Sequence, residues 1–224
     1  MPATFGLAAL RSTSRVAAAL LLTGVAAACG SVAGSAAPTA VPIQAGPATT
    51  VWPAPPDPMA RAKAAGLVPE TVEHLTYHVH AHLDVFLDAR RVLVPAGIGI
   101  DTAHPDVHRF DEADGSVSWG GIQGCAQPCI SPLHTHADYG ILHTESATTT
   151  PNRLGQLFTE WGVTLSASCF GDFCAPATTI AIYVDGTAWT GDPTAIELSD
   201  HREIAIVIGT PPATIPSTAD FSLP

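Results

Sequence analysis

Between Tyr77 and Leu87 the chain alternates strictly: Tyr77, Val79, Ala81, Leu83, Val85 and Leu87 fall on one set of positions, His78, His80, His82, Asp84 and Phe86 on the other. A period of two marks a strand, because successive side chains leave a pleated backbone on opposite faces. Shorter runs at Arg91–Val94, Ser116–Trp119, Leu133–His136, Gly140–Glu145, Thr178–Val184 and Glu203–Ile208 read as further strands. The helical period is clear once: Leu154, Leu157, Phe158 and Trp161 fall at i, i+3, i+4 and i+7. With Thr150-Pro151 as N-cap and first residue and Gly162 as the stop, this predicts a helix covering one sheet face. Asp185-Gly186 predicts a two-residue hairpin turn. The run Val85-Phe86-Leu87-Asp88-Ala89, followed by Pro95, Ile98 and Ile100, matches Ile182-Tyr183-Val184-Asp185-Gly186, followed by Pro193, Ile196 and Leu198. That match is either an internal duplication or two ordinary hairpins. The expected fold is mainly β, a sandwich or barrel-like sheet with hairpins and one short covering helix, with α+β as the second choice.

The alternation is absent at both ends. Residues 1–28 carry Arg11 and Arg15 and then an apolar run from Val16 to Ala28, the order of a secretory signal peptide. The run is too short to remain as a membrane span. Ala26-Ala27-Ala28-Cys29 resembles a lipobox, with Ala26 where Leu is commoner, so the expectation is an exported protein, lipid-anchored through Cys29 to the outer face of a bacterial cell membrane. Plain secretion is the second choice. Residues 29–64 are rich in Pro and Ala, with Pro38, Pro42, Pro47, Pro53, Pro55, Pro56 and Pro58, and read as a tether. Residues 211–224 read as a flexible tail, leaving one domain over 65–210.

Composition narrows the function. The 224 residues hold 9 Lys+Arg against 20 Asp+Glu, and losing Arg11 and Arg15 with the signal peptide moves the net charge from −11 to −13. Such a surface repels phosphates, which argues against nucleic-acid binding and favours cations as partners. Membrane contact is expected through the N-terminal lipid only, and the sequence leaves protein partners open. With Cys29 lipidated, Cys125, Cys129, Cys169 and Cys174 remain, an even number in an oxidising compartment, which implies two disulfides. Of the three possible pairings the local ones, Cys125–Cys129 and Cys169–Cys174, are favoured because each encloses a short Pro- or Gly-containing loop. A Cys-ligated zinc site is the weaker reading, since oxidation competes with metal binding.

The chemistry lies in the histidines. Six of the ten fall into two groups: His78, His80 and His82, then His134 and His136 with His143 shortly after. Alternate residues of a strand stand about 6.6 Å apart on one face. Two such imidazoles can tilt onto one ion at about 2.0–2.1 Å. Gly140 suits a turn that would fold His143 back beside His134 and His136. The candidate ligands are His80, His82, His134, His136 and His143, with His78, Asp138 and Glu145 as extra ligands or hydrogen-bond acceptors behind them. Asp84 is also near in sequence. His74, His104, His108 and His201 stand alone and read as ordinary solvated or hydrogen-bonded residues. Imidazole and carboxylate suit a transition-metal ion, Zn²⁺ or Cu²⁺, and the scarcity of Met argues against a Cu(I) carrier.

These residues carry a resemblance. His80-Ala-His82-Leu-Asp-Val-Phe-Leu-Asp88, Val94-Pro-Ala-Gly-Ile-Gly-Ile100, Leu133-His-Thr-His136, Gly140-Ile-Leu-His143-Thr-Glu-Ser146 and Leu154-Gly-Gln-Leu-Phe-Thr-Glu-Trp-Gly162 are similar to the motifs of an uncharacterised family of exported actinobacterial (lipo)proteins. The likeness spans about residues 78–208 and marks His80, His82, His134, His136, His143 and Glu145, but it brings no activity with it. Ala137 stands where that family has Asp, with Asp138 one place later, and Ala89 replaces a turn Gly. A cupin-type carboxylate after His-x-His would fall at Gly140 or Ile141, the remaining ligand spacing of copper–zinc superoxide dismutase is not visible, and no G-x-S-x-G is present. The expected function is metal capture, buffering or delivery at the cell surface. The alternatives are a metalloenzyme, an oxidase or hydrolase with an open His₃ centre, and an interaction domain without metal.

Overall fold

The computed structural model describes residues 52–222. The expected signal peptide, the expected lipidation site Cys29 and the first part of the expected tether lie outside the described residues. In chain order the elements are α1 (Pro58–Ala64), β1 (Tyr77–Leu87), β2 (Arg90–Val92), β3 (His108–Asp111), β4 (Val117–Gly120), β5 (Leu133–His134) and β6 (Ile141–Ser146). There follow α2 (Leu154–Trp161), β7 (Cys169–Phe170), β8 (Phe173–Cys174), β9 (Ile180–Val184), β10 (Thr187–Ala188), a 3₁₀ turn (Pro193–Ala195) and β11 (Glu203–Ile208). The protein is therefore mainly β, as the alternation predicts, with helical cover on one face. The main sheet is an open path, β10-β9-β11-β1-β6-β5, rather than a closed barrel, and β3–β4 and β7–β8 form separate hairpins.

β1 is its spine. Its second half runs parallel to β11, with His82 opposite Glu203 and Leu87 opposite Ile208. On the other edge its first half pairs antiparallel with β6, from Tyr77–Ser146 to His82–Ile141, and β2 takes over that edge at Val85–Leu87. The odd positions Ala81, Leu83 and Val85 enter the main core, where α2 contributes Leu154, Leu157, Phe158 and Trp161 and β11 contributes Ile204, Ile206 and Ile208. The even positions are also covered from His82 onward, and Phe86 packs with Ala205 and Val207 beneath Ile215. A smaller core joins Ile100, Val107, Ile122, Cys125, Cys129 and Ile130. The two disulfides are the local pair, Cys125–Cys129 and Cys169–Cys174.

Two features depart from the sequence reading. The helix does not begin at Thr150-Pro151. Asn152 is buried and its amide donates to the Pro132 carbonyl (3.4 Å) and the Thr144 hydroxyl (3.3 Å), which holds the segment extended against β6. Arg153, in extended conformation, becomes the N-cap; its N–H is accepted by the Gln156 side chain at 2.9 Å, and the helix ends at Gly162 with φ 75°. The packed body also starts before residue 65 and runs past 210. Trp52 meets Phe170 edge-on at 4.8 Å, its carbonyl accepts the Trp161 indole N–H, α1 buries Ala62, and Ala219 packs on Ala137, Tyr139 and Ile141. Proline-rich composition hid these anchors because each is a single apolar residue without a period.

Both hairpins of the matched segments turn on two residues with positive φ: Asp88 (48°) with Ala89 (63°), and Asp185 (50°) with Gly186 (75°). These are the mirror-image turns whose twist suits a two-residue hairpin. Ala89 occupies a conformation that costs an L-residue about 1–2 kcal/mol.

Candidate metal centre

Strand register assembles the site. His80 pairs with His143 across β1 and β6, and His143 pairs with His134 across β6 and β5, so three imidazoles occupy one rung of three adjacent strands. The next rung pairs His78 with Glu145. His136, two residues beyond His134, brings its Nε2 to 3.1 Å from that of His134, and the Nε2 atoms of His78 and His80 are 2.9 Å apart. The β5–β6 turn that folds His143 back depends on Gly140: its φ is 87°, and a Cβ there would meet the Leu83 carbonyl at 2.5 Å.

The tautomers follow from the partners. His134 Nδ1 lies 2.8 Å from the Ser131 carbonyl and His136 Nδ1 lies 2.5 Å from the Trp119 carbonyl. A carbonyl can only accept, so each Nδ1 carries the proton and each Nε2 presents a lone pair. Two lone pairs held face to face repel unless a cation lies between them, and neutral imidazole with its far N–H anchored is the form that ligates metal. Two nitrogens about 2.0–2.1 Å from a tetrahedral ion stand about 3.3 Å apart, near the separation seen here.

Burial disfavours the charged form of His80, His134, His136 and His143. It pushes His134 well below the usual histidine range, with the neighbouring His136 and His143 adding to the effect. Desolvation lowers His143 to about 2, reinforced by His136, His80 and His78, and also lowers His136 and His80. Glu145 approaches His78 Nε2 at 3.2 Å and His143 Nδ1 at 3.3 Å through Oε1, while its buried Oε2 has no hydrogen-bond partner among the described residues. The side chain of His78 is 37% exposed, which opens the cluster to solvent at one edge.

His82 is not in this cluster, although it shares a strand face with His78 and His80. Its Nδ1 lies 2.7 Å from Glu203 Oε2 and its Nε2 lies 2.9 Å from the Tyr139 carbonyl, so both nitrogens are engaged by acceptors. Although burial opposes the charge, the Glu203 hydrogen bond and the Glu203 and Asp84 charges raise the His82 pKa. His82, Asp84 and Glu203 are close enough to hold an ion, but Arg91 already supplies the cation, its Nε donating to Asp84 at 2.6 Å. Asp138 also lies elsewhere: its pKa is raised by burial, then by Asp114, and lowered by Arg91. His78, expected only as an extra ligand or hydrogen-bond partner, joins His80, His143 and Glu145 in the cluster in place of the expected His82. His104, Asp106 and Cys125 form a further group, but Cys125 is in a disulfide and offers no thiolate. His74 and His201 lie beside single carboxylates, Glu70 and Asp200, and His108 is exposed.

Glu73 carries no sequence signal, being one acidic residue before β1 without a pattern. Its Oε1 is buried without a hydrogen-bond partner among the described residues, 3.9 Å from His136 Nε2, and its pKa is raised to about 7 by desolvation and then by Glu145. The Ser131 and Trp119 carbonyls, which fix the His134 and His136 tautomers, are equally invisible to a side-chain pattern. No helix among the described residues is long and apolar enough to cross a membrane. Comparison with protein-family models, with curated proteins and with solved structures found no match, so the chemistry of these side chains is the basis for the functional reading.

Proposed function

We propose that this protein is an extracytoplasmic metal-binding protein that holds Zn²⁺ or Cu²⁺ through His78, His80, His134, His136 and His143, with Glu145 as a carboxylate ligand. The observation that carries the reading is the pair of face-to-face Nε2 lone pairs at His134 and His136, 3.1 Å apart, with both Nδ1 protons committed to carbonyls. With all four described cysteines in disulfides, the donors are imidazole and carboxylate, the set that suits these two ions. Export by the signal sequence and anchoring through Cys29 would place the ion outside the membrane, for capture, buffering or delivery, and the similarity to exported actinobacterial lipoproteins supports the same placement.

The test is elemental analysis of the purified full chain after loading with Zn²⁺ or Cu²⁺ and desalting. At least one ion per chain is expected, with a clear loss in a His134→Ala/His136→Ala variant. Retention below about 0.1 ion per chain refutes the reading, since a preformed site binds tightly. The exposed edge at His78 favours a second reading, a metalloenzyme with an open His₃ centre. X-ray absorption separates the two: four or more protein donors on the ion indicate storage, three with an exchangeable water indicate catalysis.

A further inference from the structure

The metal-binding reading leaves open how many ions the cluster holds, and its donors do not converge on one point. One ligand atom from each of His78, His80, His143 and Glu145 lies within 4.8 Å of the others, and the same holds for His134, His136, His143 and Glu145. The two sets share only His143 and Glu145. An ion with bonds of about 2.0–2.2 Å cannot reach ligands more than about 4.4 Å apart. Each histidine pair has the bite of one ion, 2.9 Å in one case and 3.1 Å in the other.

We propose that the cluster is a two-ion centre, one ion on His78 and His80 and a second on His134 and His136, with the Glu145 carboxylate between them. The proposal rests on the metal-binding reading and deepens it. Glu145 has the form of a bridge: Oε1 faces His78 and His143, while Oε2 is buried with no hydrogen-bond partner among the described residues, so a second ion gives it one. His143 lies between the pairs, its ring 4.4 Å from that of His80 and 4.5 Å from that of His136. Two dications about 3.5–4 Å apart, the usual spacing of paired metals, repel strongly unless anionic ligands sit with them. Two carboxylates are present. Besides Glu145, Glu73 presents a buried Oε1 with no hydrogen-bond partner among the described residues, 3.9 Å from His136 Nε2. Imidazole coordinates as an uncharged ligand, so the net positive charge of two ions against two carboxylates would leave room for hydroxide or another small anion.

The experiment is a count on the full chain with Zn²⁺, beside His78→Ala/His80→Ala, His134→Ala/His136→Ala and Glu145→Gln. The expected result is two Zn²⁺ per chain in the parent and one in each double variant. With Cu²⁺, the parent should show a spin-coupled electron paramagnetic resonance spectrum of reduced intensity, and each double variant the full signal of one isolated ion. Glu145→Gln keeps the side chain's shape. It should uncouple the spins even if a double variant fails to fold. One Zn²⁺ per chain in the parent, with an uncoupled Cu²⁺ signal, overturns the two-ion centre and leaves the metal-binding reading standing. No retained ion in the parent overturns both.

Discussion

Glu160 gives the sharpest test of the electrostatics behind the site. It lies on α2 with 0% exposure and, apart from the neighbouring Ser131 hydroxyl, neither carboxyl oxygen has a partner among the described residues. Burial raises its pKa from 4.5 to about 8, so the native carboxyl is protonated at neutral pH whereas the unfolded one is ionised. A group that binds its proton more tightly in the native state makes stability fall as pH rises, here between the unfolded value of 4.5 and about 8, at about 1.4 kcal/mol per pH unit. At pH 7 the accumulated cost is about 3 kcal/mol. Glu160→Gln removes the proton equilibrium while keeping the shape, and its extra N–H donors offset about 1 kcal/mol of the gain. The variant should therefore be more stable than the parent by about 2 kcal/mol at pH 7 and by nothing, or slightly less stable, at pH 4.5. Urea unfolding of the metal-free, disulfide-intact chain at both pH values measures this, and the histidine titrations cancel in the difference. Parallel stability curves for the two chains would refute the reasoning, because they would mean that Glu160 is ionised in the native state. The residue matters to the site because Ser131, which it faces, supplies the carbonyl that fixes the His134 tautomer.

Two further outcomes are expected. Ala89→Gly relieves a positive-φ alanine at a cost in unfolded-state entropy, so it should raise the urea midpoint by the equivalent of about 0.5–1 kcal/mol with an unchanged slope; a lowered midpoint would contradict the turn geometry. Since burial holds His134 and His143 below the ordinary histidine range, protons should displace the bound ion only well below pH 6.5, and stepwise acidification with atomic emission of the released metal checks this. A release midpoint at or above about 6.5 would mean that the ligands titrate as solvated imidazoles.

How much of this could be read from the chain depends on what each feature requires. β1 and β11 match their expected limits because alternation and β-branched runs are local signals. The rung of His80, His143 and His134 was approachable, since the Gly140 turn and the two His-x-His spacings together suggest it. The fate of His82 was not. One strand face holds His78, His80 and His82 alike, and only the partners, Glu145 and His143 for the first two but Glu203 and the Tyr139 carbonyl for the third, separate candidate metal ligand from buried ion pair. α1 and Trp52 escaped for a different reason: a single anchoring residue in a proline-rich stretch leaves no period to detect.

The histidine rung is drawn from three strands, β5 and β6 joined by the Gly140 turn but β1 remote in sequence from both, so His80 meets His143 and His134 only through the sheet. A disordered histidine-rich tract takes up metal whether or not anything folds, and its capacity grows with its length. If this rung holds metal as proposed, its donors gather only in the native state, so uptake would be capped at a fixed stoichiometry and each bound ion would add its binding free energy to that of folding. On that proposal, whatever unfolds the sheet would also surrender the ion, which would make the metal load a direct gauge of how much of the protein is folded.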